Sequence, residues 1–139
     1  MSLLVDTSFV VAVKNKDDKD HGRGIELLQE LVRGQHGAAV STEVVFLEAI
    51  TTAYARTHRH STAVGVGDLF FAAWEGKPLI QMRPVTTAQV HAAWSEFRRH
   101  RDKKLSMVDW TSVVVAKDLG LEQILSFDDG FDGIFPRLS

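Results

Sequence analysis

Cysteine is absent from the 139 residues. That excludes disulfides, Fe–S clusters and thiolate-held zinc, and it suits a reducing compartment. No long hydrophobic run is present. The N-terminal stretch Leu3-Leu4-Val5 has no basic residue before it and is cut short by Asp6, so it reads as neither a signal peptide nor a membrane span. A cytoplasmic protein with no membrane partner is expected. A strong charge of one sign is missing too. The formal net charge is −2, so no global basic field announces a nucleic-acid binder, although a local basic patch can still track phosphates. There is no repeat, low-complexity tract or linker. With 45% apolar and 24% charged residues, the chain has the composition of one ordinary globular domain over 1–139.

The remaining pattern alternates strands with helices. Leu3-Leu4-Val5 is continuously apolar, as in a strand covered on both faces, and leads into a turn and a short apolar helix. Ile25, Leu28, Leu31 and Val32 predict a helix from about Asp20 to Arg33, closed by Gly34. A short strand is expected at 38–40. Ser41 or Thr42 then caps a helix through Arg56. Ser61 opens a helix that Gly76 ends. Residues 78–85 read as a strand near an edge because of their prolines. Thr86 with Gln89, and Ser106 with Asp109, resemble capping boxes for helices reaching about His100 and Gly120. A last strand is expected at 122–127. The order implies an α/β fold with a central, mainly parallel sheet and helices on both faces.

Four acids stand in unusual places. Asp6 interrupts an apolar segment, where an isolated charge is costly. Asp128 follows the last strong strand. Ligands of open α/β sheets collect at the carboxyl ends of strands, though each of these acids could merely cap its turn. Glu48 has Val44, Val45, Thr51 and Thr52 as helical neighbours, either half-buried or at a rim. Asp109 fits a helix cap, and the helix N-terminus lowers the cost of holding a carboxylate there. If all four meet, their repulsion requires a cation or protonation. Hard oxygen ligands select Mg²⁺ or Mn²⁺, and such ions support phosphodiester hydrolysis.

At these positions the chain resembles the PIN domain family, and within it the VapC-type toxins. The matching stretches are "LLVDTSFVVAV", "STEVVFLEAIT", "KKLSMVDWTSVVVAKDLG" and "ILSFDDGFDG", in the family's order. The resemblance implies a three-layer α/β/α sandwich and a metal-dependent ribonuclease. It maps the family's metal-binding and catalytic acids onto Asp6, Glu48, Asp109 and Asp128. Ser8 and Ser126 match its small polar residues, and Asp102 corresponds to an outer acid. Asp129 and Asp132 compete for the fourth acidic position. The resemblance also implies an RNA substrate, a small cognate antitoxin and a homodimer.

Arg98, Arg99, Arg101, Lys103 and Lys104 form a basic run ahead of Asp109 that is a candidate RNA contact, with Arg56 and residues 58–60 as additions. A solvated helix end is the simpler account of these cations. The six histidines show no zinc-ligand spacing. Trp74 and Trp94 are expected in amphipathic helices, in the core or a dimer surface, and Trp110 in packing rather than base stacking. Two other readings remain. One is a non-catalytic RNA-binding or interaction module. The other is a phosphatase of the haloacid dehalogenase type, whose nucleophile motif needs an acid where Ser8 stands. A receiver domain would need an acceptor Asp on a mid-chain strand, and none is present.

Overall fold

A computed structural model describes residues 1–139. Five strands form one parallel sheet: β1 (Ser2–Val5), β2 (Ala38–Thr42), β5 (Gln81–Arg83), β6 (Gln123–Leu125) and β7 (Arg137–Leu138). Their order across the sheet is β5-β2-β1-β6-β7. β1 lies at the centre, pairing Leu3 with Ala39 on one side and Leu4 with Ile124 on the other. Leu3, Leu4 and Val5 are all fully buried. The uninterrupted apolar run arises because both faces of this strand are covered.

Alternation along β1 divides the core in two. Leu3 and Val5 face a cluster with α1 (Thr7–Lys14), α2 (His21–Val32), α3 (Glu43–Thr57) and α4 (His60–Phe70). Leu4 and Ile124 face the other layer, where α5 (Thr87–Arg99) and α6 (Met107–Asp118) pack around Trp110, Val113 and Phe131. This is the expected three-layer α/β/α sandwich. No helix is long and apolar enough to cross a membrane.

Local sequence signals set most boundaries. Thr42 caps α3, accepting a hydrogen bond from the Val45 amide. Both capping boxes form, Thr86 with Gln89 and Ser106 with Asp109. Three expectations are corrected. α4 ends at Phe70, well before Gly76. Glu75 and Gly76, both at positive φ, form the two-residue turn between antiparallel β3 (Ala73–Trp74) and β4 (Lys77–Pro78). Positive φ at both central positions matches the twist of a hairpin, and glycine takes it without strain. Trp74 is therefore on a hairpin rather than a helix, and it is exposed rather than in the core. The strand expected over 78–85 shortens to β5, which does occupy an edge. Trp94 does lie on a helix, exposed and stacked on Phe97 with centroids 5.8 Å apart. Trp110 is a core residue, its ring against that of His100.

Candidate functional site

β1 and β6 are parallel neighbours, so the loops leaving them emerge together. Asp6 follows β1, and Asp128 follows β6. α3 brings Glu48 over this edge, and the first turn of α6 brings Asp109. All four acids line one cleft of about 260 Å³, with Thr7, Ser8, Thr52, Arg56, Lys104 and Ser106 as the other walls. No apolar side chain lines it.

Hydroxyls hold the acids in place. Ser126 Oγ donates to Asp6 Oδ2 at 2.7 Å, and Ser8 Oγ donates to the same oxygen at 3.2 Å. Ser126 Oγ also accepts from the Asp128 amide, and Ser8 Oγ accepts from the Phe127 amide. These two serines thus tie the turn after β1 to the turn after β6. Thr7 Oγ1 donates to Glu48 Oε1 at 2.8 Å, a contact between residues 41 apart that no local spacing reveals. Asp109 Oδ2 accepts the Ser106 amide at 2.8 Å, completing its capping box. Asp109 is therefore a helix cap and a wall of the cleft at once, since a cap occupies only one carboxylate oxygen. Asp128 Oδ1 accepts the Gly130 amide.

The electrostatics of the cleft are unfavourable to its own charges. Burial pushes the Asp6 carboxyl up to about 6, against the pull of Ser126 and Ser8, with repulsion from Glu48 adding to the rise. Asp109 is pushed up to about 7 by burial and then by the charges of Asp6 and Asp128. Glu48 is also raised, by burial first and by Asp109 and Asp128 after it. Asp6 Oδ1 is buried without a hydrogen-bond partner. An orphaned, buried carboxylate oxygen surrounded by other acids is the donor chemistry of a hard divalent cation. The acids share the cleft, but no three of them close into a ready-made metal-holding group.

Other sequence candidates fall outside. Asp129 is exposed and does not line the cleft. Asp132 is held by Arg137, whose Nε and Nη2 donate to its two oxygens at 2.8 and 3.0 Å. Asp102 is an exposed loop residue away from the cleft. Of the basic run, Lys104 alone reaches the cleft wall. Arg98, Arg99, Arg101 and Lys103 do not line it, and Arg99 pairs with Glu96 at 2.6 Å.

Because Ser126 is fully buried and donates to a carboxylate, Ser126→Ala should destabilise the protein by about 2 kcal/mol at pH 8. Urea unfolding measures this. The loss should shrink towards pH 5, where Asp6 becomes protonated and needs the donor less.

The chain is similar to known proteins over nearly its whole length. The PIN domain family model matches residues 3–134. The 23S rRNA-specific endonuclease VapC20 of Mycobacterium tuberculosis is 29% identical over 129 residues, covering 93% of this chain and 91% of that protein. The crystal structure of the same VapC20, described as a sarcin–ricin loop cleaving toxin, superposes with a TM-score of 0.79 at 25% identity, covering 96% of this chain and 95% of that one. VapBC2 of Rickettsia felis, solved bound to a DNA fragment from its promoter, matches with a TM-score of 0.66 at 12% identity, covering 99% and 98%. The match sets aside the haloacid dehalogenase alternative, in keeping with Ser8 at the position where that chemistry needs an acid. The fold, the order of the four acids and a family match spanning residues 3–134 lead to one conclusion: this chain belongs to the PIN domain family.

Proposed function

We propose that this chain is an Mg²⁺- or Mn²⁺-dependent endoribonuclease and the toxin of a VapC-type toxin–antitoxin pair. The observation that carries this reading is the buried, unpartnered Oδ1 of Asp6 in a cleft it shares with Glu48, Asp109 and Asp128. These four carboxylates would hold the metal. When bound, a divalent cation supplies an activated water and neutralises charge on the scissile phosphate. The protein's part is positioning. Ser126 and Ser8 fix Asp6 through one oxygen and leave the other free. Thr7 orients Glu48, and Ser106 orients Asp109 through the helix cap. Lys104 and Arg56, on the same cleft wall, attract the phosphate backbone that the acids alone would repel.

The similarity to VapC20 supports a structured ribosomal RNA loop as substrate, and with it a cytoplasmic site of action. The VapBC2 similarity supports a small antitoxin partner, and a basic side chain from it would pair with the acid cleft and compete with metal. Homodimerisation is supported by exposed apolar residues, among them Trp94 and Phe97 on α5. The test is direct. Purified protein should cut a sarcin–ricin stem-loop RNA with Mg²⁺ or Mn²⁺ and lose that activity in EDTA, and products resolved on a denaturing gel report it. Undiminished cleavage after exhaustive chelation would overturn the metal mechanism.

A further inference from the structure

A second polar cleft, of about 490 Å³, opens beside the acid site, at the ends of α1 and α3 and the start of α4. Lys14, Lys16, Arg56 and Arg59 line it, against a single acid, Asp17. None of these four cations is in an ion pair, whereas Arg23, Arg99 and Arg137 all are. All four are exposed. Arg56 belongs to both clefts, forming part of the wall of the acid site as well.

Helix-end electrostatics explains only part of this arrangement. Lys14 and Arg56 lie in the last turns of α1 and α3, where a cation complements the dipole. Lys16 lies beyond α1. Arg59 stands at the N-cap of α4, with no side-chain cap bond, at the end of a helix that disfavours a cation. Four cations gathered without carboxylate partners repel one another, and a row of phosphates relieves that repulsion.

We propose that this basic cleft receives the phosphodiester backbone of the RNA to one side of the cut, and that Arg56 passes the strand from it to the acid site. The proposal rests on the nuclease reading. It moves the main RNA track away from the 98–104 run, of which only Lys104 faces the acids. Lys16 and Arg59 are positioning residues: they hold the strand and take no part in the chemistry.

The test uses fluorescence anisotropy of a labelled stem-loop RNA in EDTA, so that no cleavage occurs. Three proteins are compared: wild type, Lys16→Ala/Arg59→Ala, and Arg98→Ala/Arg101→Ala. The first double variant should bind roughly tenfold more weakly. Its slope of log K against log salt should fall by about 1.4, from about 0.7 per lost single-strand phosphate contact. The second should change binding by less than about twofold. With Mg²⁺ present, Lys16→Ala/Arg59→Ala should raise KM and leave kcat unchanged. Thermal melting checks that both variants fold.

Equal losses in the two double variants, or none in the first, would overturn the proposal. The two readings fail separately. A wild type that cuts RNA while Lys16→Ala/Arg59→Ala binds normally refutes the track and keeps the nuclease. A wild type that binds through these residues yet never cuts, with either metal, refutes the nuclease and keeps the cleft as an RNA site.

Discussion

Asp6→Asn should reduce metal-dependent RNA cleavage by roughly 10³-fold or more, beyond the 10–100-fold that loss of an outer partner of a ligand costs. The same variant should leave the metal-free protein as stable as the wild type, or more stable. Asp6 is almost fully buried and is held well above the ordinary carboxylate range by that burial. At neutral pH its charge is therefore a burden on the fold. Asparagine keeps an oxygen to accept the Ser126 and Ser8 hydroxyls and removes the charge facing Glu48. A structural role gives the opposite result. If Asp6 balanced a buried cation, the amide would cost 3–5 kcal/mol. No cation contacts Asp6; its side-chain partners are Ser8 and Ser126. Melting curves beside a cleavage assay separate the cases, and an Asp6→Asn protein that melts far lower yet still cuts RNA would overturn this assignment.

The metal-free protein should melt at higher temperature at pH 5 than at pH 8. Asp6 ionises near 3.8 when unfolded and at about 6 when folded, and Asp109 moves from 3.8 to about 7. Between those values the folded chain holds protons that the unfolded chain has released. Stability therefore falls as pH rises through this window. The penalty is complete above about 7 and absent below 3.8. For Asp6 it is on the order of 3 kcal/mol. The Asp109 penalty is not added in full, because part of it is repulsion from Asp6 itself. Mg²⁺ requires ionised ligands, so its stabilising effect should be greatest near pH 8 and nearly vanish at pH 5. Asp109→Asn should flatten the metal-free slope, while keeping its cap through the remaining oxygen. Melting temperatures across pH 5–8, with and without Mg²⁺, test all of this. A metal gain that ignores pH would contradict it.

Much of this site was legible because its residues break local rules. Asp6 interrupts an apolar strand, and Ser106 with Asp109 announces a helix start next to buried Trp110. Chain order then matched a family. What stayed hidden is what tertiary contact decides. Thr7 and Glu48 meet across 41 positions. Arg137 removes Asp132 from contention only because β7, too short to register in the sequence, docks beside β6. Gly76 reads as a helix end in the sequence because glycine serves both helix stops and hairpin turns. The basic run at 98–104 is dense in sequence, whereas the basic cleft joins Arg56 and Arg59 to Lys14 and Lys16 from about 40 positions earlier, a meeting that only tertiary contact decides.

The central position of β1 also sets a timetable. Leu4 pairs with Ile124, which comes 120 positions later in the chain. At about 5–20 residues per second, synthesis separates the two by about 6–24 s. Until β6 arrives, Asp6 lacks its Ser126 donor and has no Asp128 beside it. Pairings between such distant residues also fold slowly. A chain still growing on a ribosome therefore carries an incomplete set of acids until Asp128 is made. Under the nuclease reading, the acid site is complete only after the strand that pairs last with β1 has been made.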